Sequence, residues 1–335
     1  MILLFDLSKE HPLIPKLEIE SLYQAYKKKY TIIHENESVL VIDADITQEF
    51  LNILTTRLAF THSLSHYLFQ ISSINEIKQC MNLPLERFEG SIAIRYKNRS
   101  KTQDSRKIVE SLASLFTKNQ SVDLENPHNI IYAIITDKKI FVGKQLFIFD
   151  RNDFEKRKVQ FRPFFSPISL HPKLARGLVN IAQVIPGSNI LDPFCGTGGF
   201  LIEAGLLGCR LFGSDIQDDM ICGTRENLGK YNLEPLQLFK SDIGSIAEKI
   251  EDVMDAVITD APYGKSTTTK NENIQDLYSR AFQSISKVLK PGGRVAIGLP
   301  NKKYGSLFKN HFTLNEVIAI PVHRSLTRYF YTGHK

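Results

Sequence analysis

Tryptophan is absent from the 335 residues, and cysteine and methionine occur four times each. No apolar run approaches the roughly 18 residues that a membrane span needs. The start, MILLFDLSKEHP, lacks the basic flank and long apolar core of a signal peptide, so a cytoplasmic location is expected. Cys80, Cys195, Cys209 and Cys222 form no C-x-x-C pair, which argues against a zinc ribbon and a disulfide framework. Reduced thiols are expected, with a Cys209–Cys222 bridge as the alternative for a hyperthermophilic source. His62 and His66 have the i, i+4 spacing of metal ligands without an acidic or thiol partner nearby. They read as surface or packing residues, and no metal site is expected. Internal repeats and low-complexity tracts are missing too.

The hydrophobic share of 42 % and charged share of 23 % are those of an ordinary soluble globular protein. Length alone suggests two or three domains. Net charge is only +6, from 42 basic and 36 acidic residues, but the basic residues cluster. Arg95, Lys97, Arg99, Lys101, Arg106 and Lys107 face the single acid Asp104 in RYKNRSKTQDSRK. A second group comprises Arg151, Lys156, Arg157, Lys158 and Arg162, and Lys27 to Lys29 form a third. Such patches suit a phosphate backbone, although any one of them alone reads equally well as a solvated face. Arg95, Lys97, Arg99, Lys101, Arg106 and Arg157 are the candidate nucleic-acid contacts.

Strands and helices mix without strict alternation over roughly the first 60 residues, as in a small α+β layer. Strand SIAIRY, an amphipathic helix near 105–116 and a hairpin about the polar DKK turn follow. The charged stretch 150–167 is the best linker candidate. After it the pattern becomes regular strand–helix alternation, which implies a parallel sheet, with KPGG as a turn before the strand RVAIGLP.

DPFCGTGGF, residues 192–200, joins the first strand of that second half to its helix. Gly196, Gly198 and Gly199 let the backbone turn sharply and approach a ligand. The second strand ends in Asp215, placed to accept both hydroxyls of an adenosyl ribose. Neither the dinucleotide fingerprint nor the P-loop is present. An acid just before the glycines would repel a pyrophosphate and suits instead a cationic ammonium or sulfonium, as in S-adenosylmethionine. Asp192, Phe194, Cys195, Gly196, Thr197, Gly198, Asp215, Ile216, Ser241 and Asp242 are the candidate cofactor residues. Asp215 and Asp242 also serve the plainer purpose of capping the helices that follow them.

TDAPYG, residues 259–264, ends the fourth strand of this half. An exocyclic amine of a nucleobase is a poor nucleophile, because its lone pair is delocalised into the ring. The Asp260 carboxylate and the Ala261 carbonyl can each accept one N–H, orienting the nitrogen for attack on a methyl donor. Pro262 stiffens the turn, and Tyr263 can stack on an extruded base. His171 precedes a helix and reads as its cap or as a ligand contact, and Arg324 and Arg328 are candidates to meet a phosphate.

DPFCGTGGF, Ser241–Asp242 and DAPYG resemble motifs of the Rossmann-fold amino-methyltransferases of DNA and RNA. RPFFSPISLHPKLARGLVNIAQV is similar to a narrower group, the archaeal tRNA guanosine N2-methyltransferases that modify position ten. VDLENPHNIIYAIITDKKIFVGKQL resembles the end of a THUMP domain, an RNA-binding module. The resemblance implies an α/β fold: a Rossmann-like doubly wound methyltransferase sheet at 168–335 after the linker. Before it would come a ferredoxin-like domain at 1–60 and a THUMP RNA-binding domain at 61–149. It implies mono- and then dimethylation of guanine N2 in tRNA, by a monomer that in some relatives has a small zinc-binding activator. This chain departs from the family in having Ala261 where a second proline is usual. The turn by itself suits adenine N6 or cytosine N4 of DNA as well. An RNA-binding protein with a vestigial methyltransferase half is the reading from another class.

Overall fold

The computed structural model describes residues 1–80, 88–118, 120–166, 169–264, 272–323 and 326–335. In chain order the first elements are β1 (Ile2–Leu7), α1 (Ile14–Ala25), β2 (Tyr30–Glu35), β3 (Val39–Ala44), α2 (Gln48–Arg57) and β4 (Thr61–Ile71). Then come α3 (Ile77–Cys80), β5 (Ile92–Asn98), α4 (Ser105–Phe116), β6 (Asn129–Ile135) and β7 (Ile140–Ile148). The seven strands make one sheet in the order β2-β3-β1-β4-β7-β6-β5. Its pairs are antiparallel except β5 with β6. Strands from the expected ranges 1–60 and 61–149 therefore share a single sheet, because β1 pairs with both β3 and β4.

β4 is not foreseen from the sequence. Its buried residues include the polar Thr61, Ser63 and Ser65 beside Leu64, Phe69 and Ile71, so a clean alternation of apolar and polar residues is absent from its first half. Residues four apart on a strand share a face but stand about 13 Å apart at 3.3 Å per residue. His62 and His66 thus lack the spacing of paired metal ligands.

The second half continues with α5 (Asn152–Lys156), α6 (Pro172–Ile181), β8 (Asn189–Asp192), α7 (Gly199–Gly205), β9 (Arg210–Asp215), α8 (Asp218–Gly229) and β10 (Gln237–Lys240). It ends with α9 (Ile246–Lys249), β11 (Met254–Asp260), α10 (Ile274–Val288), β12 (Leu289–Leu299), α11 (Gly305–Lys309), β13 (Thr313–His323) and β14 (Leu326–His334). The sheet order is β10-β9-β8-β11-β12-β14-β13, parallel except for the β14 pairings. The order reverses between β8 and β11, and ligands of open α/β sheets bind outside the strand ends at such a switch. KPGG lies within the bounds of β12 as an excursion: Leu289 pairs with Met254, and pairing resumes only at Arg294 with Ala256. The apolar side of α10, with Tyr278, Phe282 and Ile285, packs into a core that also holds Phe308 and Phe312.

The chain divides into two compact units, and residues 13–27 and 57–59 group with 150–335. The expected linker 150–167 thus belongs to the second unit. Asn180 on α6, fully buried, explains the inclusion of α1. Its amide nitrogen donates to Glu18 Oε1 at 2.8 Å and to the Arg57 carbonyl at 3.0 Å, while its oxygen accepts from Arg57 Nε at 3.0 Å. Glu18 also accepts from the Ala59 amide at 2.9 Å. Asn180→Ala would leave a buried carboxylate and guanidinium short of partners. It is expected to cost about 2–4 kcal/mol, read as an earlier urea midpoint for the second unit.

Candidate active site

The Gly-rich loop after β8 owes its shape to two left-handed glycines, Gly196 at φ +51° and Gly198 at φ +77°. α8 and β9 hold it. Thr224 Oγ1 donates to the Gly196 carbonyl at 2.7 Å, Asn227 donates to the Thr197 carbonyl at 3.0 Å, and the Cys195 amide donates to the Ser214 carbonyl at 2.9 Å. A Cβ on Gly198 would stand 3.0 Å from the Thr224 methyl, so both conformation and space require glycine there. The loop bounds a cavity of about 400 Å³ whose walls include Asp192, Ile216, Asp242, Glu272 and the Asp260–Tyr263 turn. The predicted cofactor residues of both halves of the crevice therefore meet, with the exception of Gly198, which shapes the loop from behind.

Asp192 is 2 % exposed. Its Oδ1 accepts from Thr259 Oγ1 at 2.6 Å and from the Phe194 amide at 3.2 Å. Burial, partly opposed by these donors and reinforced by the charges of Asp215 and Asp260, pushes its carboxyl up to about 7. Asp215 accepts from the Gln217 amide at 3.0 Å and the Gly196 amide at 3.1 Å, and burial raises it also. It faces the cavity and braces the turn into α8, but the N-cap of that helix is Gln217, so the expected capping role of Asp215 is corrected. Ser241 donates from Oγ to the Asp242 carbonyl at 3.0 Å.

Asp242 caps the next turn through the Gly244 amide at 2.8 Å and is ion-paired with Arg280 of α10. Arg280 also forms a fork with Glu272, with Nε to Oε1 at 2.8 Å and Nη2 to Oε2 at 2.7 Å. These two carboxylates hold the guanidinium pKa well above its ordinary value. Arg280 and Glu272 escape a reading of the sequence because no motif contains them. Arg280 lies in the middle of an otherwise ordinary amphipathic helix, 38 residues from Asp242.

At the end of β11 the Asp260 carboxylate lies against Gly298 of β12, where a Cβ would come within 2.3 Å of Oδ1. Tyr263 donates its hydroxyl to that Oδ1, and Arg328 Nε of β14 lies 3.3 Å from Oδ2. Burial raises the Asp260 pKa, while Arg328 first and Tyr263 second act to lower it. The Tyr263 phenol is pushed well above its usual range by burial and by the Asp260 charge. The Ala261 amide donates to the Gly298 carbonyl at 3.2 Å, and the Pro262 carbonyl accepts from Tyr278 Oη at 2.8 Å. Ala261 is thus the residue of the turn whose carbonyl is the candidate acceptor.

Three expectations, for Arg328, Arg99 and Arg157, are corrected, and of the two readings of His171 the cap is the one seen. Arg328 is 6 % exposed and ion-paired with Asp260 rather than open to a phosphate; Arg324 lies outside the described residues. Arg99 turns inward to a buried ion pair with Asp6 and donates to the Leu7 carbonyl at 2.7 Å. Arg157 pairs with the fully buried Glu203, with Nε to Oε1 at 2.8 Å, so neither arginine is a surface contact. His171 is the cap of α6, its Nδ1 accepting from the Lys173 amide at 3.2 Å. Lys97, Lys101 and Arg106 are exposed, and Arg95 is half-buried. All four cysteines are free.

Comparisons with known proteins bear on the family and the fold. A family model described as RMKL-like, methyltransferase domain, matches residues 159–329. A tRNA (guanine(10)-N2)-dimethyltransferase of Methanothermobacter thermautotrophicus is 33 % identical over 326 residues, 96 % of each chain. One from Pyrococcus abyssi is 35 % identical over 252 residues, 73 % of this chain and 74 % of the relative. The chain belongs to this tRNA guanine-N2 methyltransferase family. A yeast tRNA (guanine(10)-N(2))-methyltransferase is 25 % identical over 281 residues, 74 % of this chain and 64 % of the relative. Among solved structures, TrmN from Thermus thermophilus superposes with a TM-score of 0.57 at 19 % identity, over 100 % of both chains. The SAH complex of SMU.472 gives 0.54 at 14 % identity, over 99 % and 98 %. At such identities the likeness speaks for the fold alone. Among the described residues no helix is long and apolar enough to cross a membrane.

The raised Asp192 pKa has a definite sign. The group favours the folded state fully below the ordinary carboxylate range, and that contribution is lost as pH rises through about 7. A cation bound beside it must reverse this by drawing the proton off. Affinity for S-adenosylmethionine is therefore expected to rise about tenfold between pH 6 and pH 8. Calorimetry in buffers of different ionisation enthalpy should detect the released proton, and Asp192→Asn should flatten the dependence and weaken binding.

Proposed function

We propose that the protein transfers methyl groups from S-adenosylmethionine to the exocyclic N2 of a guanosine in tRNA, at position ten, giving N2-methyl- and then N2,N2-dimethylguanosine. The observation that carries the proposal is a cavity lined by the acids Asp192 and Asp215 that reaches the Asp260–Tyr263 turn. Among the described residues no basic side chain neutralises Asp192 or Asp215; Asp192 is held by a hydroxyl and an amide, and Asp215 by backbone amides. That donor set fits a cationic adenosyl ligand, with Asp215 toward the ribose and Asp192 toward the ammonium end. Bound there, S-adenosylmethionine supplies an electrophilic methyl group.

The remaining work falls to the chain. Asp260 Oδ1 and the Ala261 carbonyl each accept one N–H of the target amine, which turns its lone pair out of conjugation and toward the donor. After transfer the nitrogen carries a positive charge and an acidic proton, which passes to Asp260 and on to water. A monomethylated amine retains one N–H, and either acceptor can hold it, so the same turn serves both steps. Tyr263 gives the extruded base a ring to stack on. Asp260→Ala is expected to lower turnover at least about 100-fold and to leave donor binding intact. The check is labelled donor with unmodified tRNA transcript, followed by nucleoside identification, beside a transcript carrying adenosine at position ten. Label in N2-methylated guanosine that vanishes in the substituted transcript supports the proposal. Label only in methylated adenine or cytosine of duplex DNA would remove it.

The same reading takes the protein as a cytoplasmic monomer whose first unit binds tRNA in the manner of a THUMP module, with Lys97, Lys101 and Arg106 on the phosphates. A small zinc-binding activator is the partner to add should the purified chain turn over slowly. Lys97→Ala combined with Lys101→Ala is expected to reduce the slope of log affinity against log salt by about 2, at about 0.9 per phosphate contact. Filter binding over a salt series measures it. Arg99→Ala should instead show itself in thermal stability, because its partner Asp6 is buried.

A further inference from the structure

Both oxygens of the Asp260 carboxylate already have partners. Oδ1 accepts the Tyr263 hydroxyl, and Oδ2 faces the Arg328 guanidinium at 3.3 Å. The same guanidinium lies over the Tyr263 ring, 5.7 Å from its centre. Nothing in the chemistry of methyl transfer requires this closed triad, and Tyr263 must leave it before its ring can stack on a base. We propose that Tyr263 is a placeholder whose hydroxyl occupies the acceptor site of the target amine between turnovers, while Arg328 is a positioning residue that keeps the carboxylate oriented. The inference rests on the functional reading above and adds to it an exchange step and a residue outside the motif.

Three features of the geometry support the exchange. First, the carboxylate is fixed from below, because Gly298 lets it lie against the β12 backbone where any Cβ would collide with Oδ1. Second, Arg328 is fixed from the side. It pairs in register with Ile320 of β13, and the adjoining Tyr329 and Phe330 pair with Leu299 and Gly298 of β12. Third, Tyr263 stands on a turn, followed by Gly264 at φ +85°, so the hydroxyl is the movable member of the triad. Replacing an O–H donor by an N–H donor conserves the number of hydrogen bonds on Oδ1. At no point is a buried carboxylate left bare, a state that costs about 1–3 kcal/mol or more for a charged group.

The groups facing Asp260 come from every element around it. Arg328 on β14 favours the ionised form, and the Tyr263 hydroxyl stabilises it. Asp192 at the end of β8 and Tyr278 of α10 also interact with it, the former as a like charge. With an acid on one side and burial on all sides, the cheapest response of Asp260 would be to take up a proton. A protonated carboxyl is a poorer acceptor for an amine and cannot receive the proton released on methylation. Arg328 supplies the opposing charge.

The test titrates Asp260 directly in the substrate-free protein and compares it with activity. Carbon-13 labelling of aspartate carboxyls, with Asp260→Asn to assign the signal, gives the midpoint in wild type, Tyr263→Phe, Arg328→Met and Arg328→Lys. Expected is an upward shift of about one pH unit for Tyr263→Phe and a larger one for Arg328→Met, with Arg328→Lys between wild type and Arg328→Met. In methylation assays both Tyr263→Phe and Arg328→Met should lose more rate at pH 6 than at pH 8.5, by about tenfold, with the donor dissociation constant unchanged. Midpoints that stay at the wild-type value in Tyr263→Phe and Arg328→Lys, with melting temperatures also unchanged, overturn the proposal. If Arg328→Met fails to fold, Arg328→Lys and Tyr263→Phe carry the test alone. Wild-type protein that titrates as expected and leaves tRNA unmethylated removes the functional reading and leaves the hold on Asp260 established.

Discussion

Of the five carboxylates that line one cavity, Asp192, Asp215 and Asp260 are the ones whose pKa burial raises, and the rest of the site is arranged around that repulsion. Like charges taken out of water favour neutralisation, so each must be kept useful by a different means. Asp215 has two backbone amides, and Asp192 has a hydroxyl and one amide. Asp260 has the guanidinium of Arg328 and the Tyr263 hydroxyl. The division follows the chemistry. The two acids without a basic partner among the described residues stand where a cationic ligand can balance them, and the acid proposed to hold a neutral amine carries its own counter-charge.

The sheet makes this convergence possible. Because the strand order reverses between β8 and β11, the loops after these two adjacent parallel strands leave the sheet on the same edge, and Thr259 can reach Asp192 directly. β14 inserts antiparallel between β12 and β13. An antiparallel strand at that position brings Arg328, near the start of β14, to the end of the sheet where β11 delivers Asp260. A seventh strand running the other way is therefore tied to the chemistry as well as to covering an edge.

Legibility in the sequence followed the range of each interaction. DPFCGTGGF and TDAPYG are local: their glycines, proline and acids act within a few residues, and the structure gathers them around one cavity. The places of Arg328 beside Asp260 and of Arg280 beside Asp242 have no local signature, because their partners are set by the pairing of elements distant in the chain. Arg99 illustrates the opposite error. It sits in a run of exposed cations, and only the register of β5 turns it inward toward Asp6, 93 residues away. β4 escaped because Thr61, Ser63 and Ser65 in its first half are buried, and burial at those positions carries no hydrophobic signature.

Ala261 shows how a departure from a motif can be absorbed. A second proline would fix one backbone dihedral of the turn and remove an amide. Here the amide is kept and donates to Gly298, the Ala261 side chain is buried in the core beneath α10, and the following carbonyl is clamped by Tyr278. One hydrogen bond and a buried methyl thus replace a ring. What the proposed chemistry asks of position 261 is a carbonyl held at a fixed angle to Oδ1. That demand is met by the backbone of β12 and the hydroxyl of α10, whichever small side chain residue 261 carries.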